Sequence, residues 1–289
     1  MTAPDWRPFE KVDYARLRDA RLQAHHAVQW LARAARAYVP AKPDDSHTSL
    51  FWDEGFNGFA TYKMQGARLG LKLFPLSFVI LEGKEALPTR FLGIDGHKEA
   101  DLRVWLGEEL GAFDLDARAL DKPPPYRVPP HKVEENSPYL SAGMDEIFRE
   151  LAAWFSNADR SIGRVAEAMR SNRFEVSLTR CWPHHFDIAA LIAVDPPGET
   201  LESARTIGIG LSPGDRHYDE PYFYVSPWPY PAPAKLPPVP PLGRWHIKDF
   251  TAAILPAHRI LAAQARQSET ETFLAEAVVA ALTALKSLR

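Results

Sequence analysis

The chain has 289 residues, 46% hydrophobic and 25% charged, enough to bury a large core as one domain or two. Its formal net charge of -3 leaves no basic excess to neutralise a phosphate backbone, which excludes general nucleic-acid binding. Cys181 is the sole cysteine, so an intramolecular disulfide and a thiolate zinc cluster within one chain are excluded.

The N-terminal residues lack the basic-then-apolar order of a signal peptide. No apolar run is long enough to span a bilayer; the most apolar stretch, Leu69 to Leu81, is interrupted by Lys72 and Pro75. The expected location is the cytoplasm, with no membrane partner.

In chain order, Tyr14, Leu17, Ala24, Val28, Leu31, Ala35 and Tyr38 recur at three- and four-residue spacing and predict a helix that Pro40 stops. Strand-like segments follow at Ser49 to Trp52, Phe59 to Met64, Leu69 to Leu81 and Thr89 to Ile94. Glu99 to Phe113 reads as a helix with Leu102, Leu106 and Leu110 on one face. Residues 121–138 form a proline-rich connector, since proline runs fit neither helix interior nor central strand. Met144 to Met169 holds helical spacing throughout. Strands are then expected at Phe174 to Trp182, Phe186 to Val194, Arg205 to Leu211 and Tyr222 to Pro227. The end is helical, with a capping-box pattern at Ser268 to Glu271 and a buried stripe of Phe273, Val278, Ala281, Leu282 and Leu285.

Short turns between strands argue for antiparallel pairing, because a parallel pair needs a long crossover. The expected fold class is α+β: largely antiparallel sheets with packed helices. The halves 1–120 and 139–289 share the order helix, strands, helix, so a pseudo-repeat is expected, joined through 121–138, with both halves free to pack as a single domain.

Two tracts concentrate the chemistry. The first, Cys181-Trp182-Pro183-His184-His185-Phe186-Asp187, turns at Pro183-His184 into a strand starting at Phe186. Alternation then sends Phe186 and Ile188 to the core and places His185 and Asp187 on the other face, where Asp187 can orient the imidazole. The pair reads as acid–base groups, as ligands of a metal, or as a turn in which Asp187 accepts backbone N–H groups. A metal is not favoured, because adjacent histidines on a strand point to opposite faces. Cys181 reads as a small buried apolar residue, with no cysteine-enzyme signature around it.

The second tract opens with the turn Ser212-Pro213-Gly214-Asp215. Asp215, His217, Asp219 and Glu220 form either a solvated acidic loop or a metal or proton-transfer site, with His217 and Glu220 as further catalytic candidates. Trp182, His184, Tyr222, Tyr224 and Trp228 are expected to line a ligand pocket or to fill a two-layer core. His246 follows the proline run beside Trp245. No Walker loop or dinucleotide fingerprint occurs, and Gly208-Ile209-Gly210 lacks the third glycine and the following helix, so no nucleotide cofactor is implied. The expected function is small-molecule binding or acid–base and hydrolytic chemistry at a His/Asp/aromatic pocket. The alternative is a non-catalytic interaction or structural module that offers residues 227–241 as an extended surface.

The order Trp182-x-x-x-Phe186-Asp187-Ile188-Ala189, then Pro213-Gly214, then Pro221-x-Phe223-Tyr224 and Pro229-Tyr230-Pro231 resembles a bacterial family of uncharacterised proteins. Its members carry a Phe-Trp-Gly-Ser-Phe-Asp-Leu-Ala stretch and a later Phe-Tyr-rich segment ending Pro-Glu-Pro. The resemblance covers residues 144–245. It implies a shared fold and site location and no particular chemistry. Pro183-His184-His185 stands where the family has Gly-Ser, so the histidine pair is this chain's own feature.

Overall fold

The computed structural model describes residues 6–9, 12–83, 87–195 and 204–286. The chain falls into an N-terminal unit, Pro8–Ser156 with Arg180–Phe186, and a C-terminal unit, Met1–Arg7, Asn157–Thr179 and Asp187–Arg289. The division lies inside a helix, and residues 121–138 belong wholly to the N-terminal unit. Both units place helices on an antiparallel sheet, so the fold is α+β.

In the N-terminal unit, α1 (Tyr14–Tyr38) fills the range its apolar spacing predicts. The Asp13 carboxylate caps it by accepting the Ala15 N–H at 2.7 Å, one of the donors a helix start leaves unpaired. Leu17, Ala24, Val28, Leu31 and Ala35 are buried. The strands β1 (Phe51–Asp53), β2 (Gly58–Ala60), β3 (Ala67–Lys72), β4 (Ser77–Glu82) and β5 (Leu87–Gly93) pair in chain order. The apolar stretch Leu69 to Leu81 is thus a hairpin, with Pro75 in its turn, where a missing N–H removes no ladder bond. α2 (Glu99–Gly111) buries Leu102, Leu106 and Leu110. Its first residue, Glu99, accepts hydrogen bonds from Trp30 Nε1 at 2.8 Å and from the Tyr139 hydroxyl. The first half of α3 (Asp145–Ser171) sets Phe155 edge-on to Phe59 at 4.8 Å. After β6 (Glu175–Val176) of the other unit, β7 (Arg180–Trp182) returns here, where Cys181 and Leu50 exchange both backbone hydrogen bonds at 2.9 Å. The strand expected over Phe174 to Trp182 is therefore two short strands, divided at residues 177–179.

In the C-terminal unit, β8 (Asp187–Ala193), β9 (Thr206–Ser212), β10 (Tyr222–Trp228), β11 (Arg244–His246) and β12 (Ala252–Pro256) join β6 in the order β11-β12-β10-β9-β8-β6, all antiparallel. α4 (Ala257–Ala262) follows β12, and α5 (Arg266–Lys286) packs on β9 and β10. Phe223 and Val225 are fully buried on one face of β10, where Trp6 stacks on Phe223. Tyr222, Tyr224 and Ser226 point from the other face. α5 begins two residues before the expected cap. Ser268 lies inside its first turn, and Glu269 accepts the Ala265 N–H at 2.8 Å. The helix begins before Ser268 because Glu269, two residues ahead of Glu271, supplies the acceptor for the Ala265 N–H.

Candidate functional site

The face of the C-terminal sheet opposite Phe223 and Val225 carries a connected set of polar and aromatic side chains. Its floor is β9. Tyr224 on β10 stands opposite Gly210, which stands opposite Ala189 on β8. A Cβ on Gly210 would come within 2.5 Å of both Cζ and the hydroxyl of Tyr224. Only glycine there lets the ring lie across β9 and deliver its hydroxyl to Asp187 Oδ2 at 2.5 Å, two strands away. Gly210 of the Gly208-Ile209-Gly210 run thus serves an aromatic ring. Burial, and after it the Asp187 carboxylate, raises the Tyr224 hydroxyl well above its ordinary pKa, so it stays a donor at neutral pH.

One strand end further, Asp215 organises the loop. Its Oδ1 accepts the His217 N–H at 2.7 Å and the Tyr218 N–H at 3.0 Å, and its Oδ2 accepts the Tyr222 hydroxyl at 2.7 Å. Burial, then Asp215, raises the Tyr222 hydroxyl above its ordinary range. The fixed backbone aims Tyr218 at His246 of β11, with its hydroxyl 2.8 Å from Nδ1. His246 Nε2 lies 2.5 Å from the Lys248 carbonyl oxygen. A carbonyl only accepts, so Nε2 carries the hydrogen, and a neutral ring then accepts the Tyr218 O–H at Nδ1. Phe250 stacks on His246 at 4.1 Å, and His217 meets both rings edge-on at 5.5 and 5.3 Å. The Arg244 guanidinium stands 5.7 Å from the Tyr218 ring centre. This is a hydroxyl, a base and a group that orients the base, the arrangement by which weak nucleophiles and acids are activated.

No known protein family, curated protein or solved structure matches this chain. Among the described residues, no three His, Cys, Asp or Glu side chains gather to hold a metal ion.

The predicted residues divide accordingly. Tyr222, Tyr224, Asp187 and His217 belong to this face. Glu220 is engaged with His258: its two oxygens take the His258 N–H and Nδ1, each at 2.7 Å, which anchors the start of α4. Trp228 lies six residues from Tyr222 along β10, about 20 Å away, and is exposed against Tyr230 at 5.1 Å. Strand length carries it out of any shared wall. The strand expected to start at Phe186 starts at Asp187, because Phe186 closes the turn with a φ of 57°. Alternation therefore does not set His185 beside Asp187. His185 is exposed, whereas Asp187 is buried and holds Tyr224.

Trp182, His184 and His185 belong to the N-terminal unit. There the Pro183 carbonyl accepts from His25 Nε2 at 2.9 Å and Gln29 Nε2 at 2.8 Å, and Gln29 Oε1 accepts the Tyr126 hydroxyl at 3.0 Å. His184 stands among Tyr126, Trp182 and His185, with ring centres 5.6, 6.2 and 4.1 Å away. Burial, and then His185, lowers its imidazole to about 4; burial lowers His25 to about 3 and raises Tyr126 to about 12. These rings are neutral at pH 7 and pin the turn. Cys181 beneath them is fully buried. Sequence reasoning left out Tyr218 and Phe250 and left His246 unassigned. The one available signal was their polar–aromatic character, since 28 residues separate Tyr218 from its partner.

Proposed function

We propose that this protein binds a small organic molecule beside Tyr218 and His246, at the edge of this face of the C-terminal sheet, and exchanges a proton with it through them. The observation that carries this reading is the chain Tyr218 hydroxyl, His246 imidazole, Lys248 carbonyl, with the base held in one tautomer. The ligand gives its proton to the Tyr218 oxygen as the Tyr218 proton passes to His246 Nδ1. The imidazolium keeps its Nε2–H on the Lys248 carbonyl, and Arg244 favours the phenolate-like oxygen in between. Phe250 and His217 supply the walls, Asp215 positions Tyr218, and Asp187 with Tyr224 fixes the floor. On this reading the aromatic–Asp–proline framework is what the chain shares with the bacterial family it resembles.

The test is an NMR-read titration of small aryl acids, amines and esters into the full chain and into Tyr218→Phe and His246→Gln. Ligands should engage the wild type and lose about tenfold or more in affinity or turnover in each variant. Equal behaviour in all three would remove the pair from the function.

One observation favours the interaction-module reading as a second: Trp228 and Tyr230 are 44% and 43% exposed, packed edge to face beside the proline-rich segment. Self-association that light scattering sees in the wild type and not in Trp228→Ser would support it, and identical monomers would remove that form of it.

A further inference from the structure

The N-terminal unit holds a cationic cluster with no part in the site above. A cleft of about 350 Å³ is lined by Phe51, Thr61, Tyr62, Lys63, Arg68 and Gly83. Phe51 and Tyr62 meet edge to face at 4.8 Å. The Arg180 guanidinium packs over both, 4.1 Å from the Phe51 ring centre and 5.1 Å from that of Tyr62, and the Lys42 ammonium stands 5.2 Å from Tyr62. Lys63 and Arg68 thus line the cleft while Lys42 and Arg180 stand over its rings, and among the described residues none of the four forms an ion pair. The acid that acts on Arg180 and Lys42 at longer range is Asp44, whose carboxylate accepts the Ser46 N–H at 3.1 Å.

Two donors here are buried with no hydrogen-bond acceptor: Arg180 Nη1 and the Tyr62 hydroxyl. An unsatisfied buried donor is costly, and a guanidinium more so than a neutral group. The same desolvation lowers the Arg180 pKa from its ordinary value. Four cations without ion-pair partners, two lining the cleft and two over its rings, are matched by an acceptor-rich group of more than one negative charge. A phosphomonoester has that chemistry, with a charge of about −1.5 to −2 and three acceptor oxygens. The cleft volume is within the range of small-ligand sites.

We propose that this cleft binds a small organic phosphomonoester, its phosphate held by the lining cations Lys63 and Arg68 and its body against Phe51 and Tyr62, with Arg180 and Lys42 adding positive charge from over the rings. The full chain is titrated calorimetrically at fixed ionic strength with phenyl phosphate, inorganic phosphate and benzoate. Phenyl phosphate should bind saturably, inorganic phosphate more weakly for want of ring contact, and benzoate weakest. The double variant Lys63→Gln/Arg68→Gln changes accessible side chains and should keep its thermal melt. It should bind phenyl phosphate at least about tenfold more weakly. No saturable binding, equal affinity in the variant, or benzoate binding as tightly as phenyl phosphate would overturn the assignment. Tyr218→Phe should leave this binding unchanged, so the two sites fail independently.

Discussion

Gly210 matters for what it lacks. Its missing Cβ makes room for the Tyr224 ring, and an added methyl would also lie 2.8 Å from the Ile188 carbonyl oxygen. Gly210→Ala must therefore push the ring aside and break the Tyr224–Asp187 bond. We expect a loss of about 1–3 kcal/mol in urea unfolding, the usual range for overpacking. A loss below about 0.5 kcal/mol, the scale of an inconsequential surface change, would show that the ring does not depend on the notch. Asp187 shows how far residue chemistry was legible. The sequence marked it as a site acid, but its partner in this unit is a tyrosine 37 residues away. Alternation predicts which face a side chain occupies once the strand start is known. Here a left-handed Phe186 moved that start by one residue.

Among the elements, long helices were the most legible. α1 ends where its spacing and Pro40 say it should, because an amphipathic run of seven turns overdetermines its own period. β11 and β12 were missed. β11 is three residues long, and β12 reads Ala-Ala-Ile-Leu-Pro, which is buried throughout and shows no alternation. That omission hid the site, since β11 carries His246. The Glu220–His258 contact was hidden for a related reason: the helix it anchors, α4, is six residues long and has no sequence signature. Glu220→Ala should behave as a lost helix cap, costing about 0.5–2 kcal/mol of stability while leaving ligand affinity at Tyr218 and His246 unchanged. A variant as stable as the wild type but defective in ligand binding would return Glu220 to the site.

At the level of the whole molecule, acid stability reports on the buried rings of the N-terminal unit. His25 has a folded pKa of about 3 against an ordinary 6.5. The unfolded chain therefore takes up a proton at higher pH than the folded one. Stability is fully present above about pH 6.5 and is lost as pH falls towards about 3, by an amount on the order of 3–5 kcal/mol if burial alone decides it. His184, lowered to about 4, adds to the loss with the same sign. Urea midpoints measured from pH 7 to pH 4 should fall steeply in the wild type and less steeply in His25→Gln, whose amide can still donate to the Pro183 carbonyl. Parallel curves would mean that His25 is not the group that charges. No helix among the described residues is long and apolar enough to cross a membrane.

The proposed site stands or falls on His246. The most direct measurement is a 15N–1H correlation spectrum of the histidine rings, recorded while the tightest-binding ligand of the screen is titrated in. His246 should rest as the Nε2–H tautomer with Nδ1 as acceptor, and its Nδ1 resonance should move and saturate as the ligand binds. An Nδ1–H tautomer at rest, or a His246 ring that stays silent while the ligand saturates elsewhere, would contradict the assignment of Tyr218 and His246 as the proton-exchanging pair.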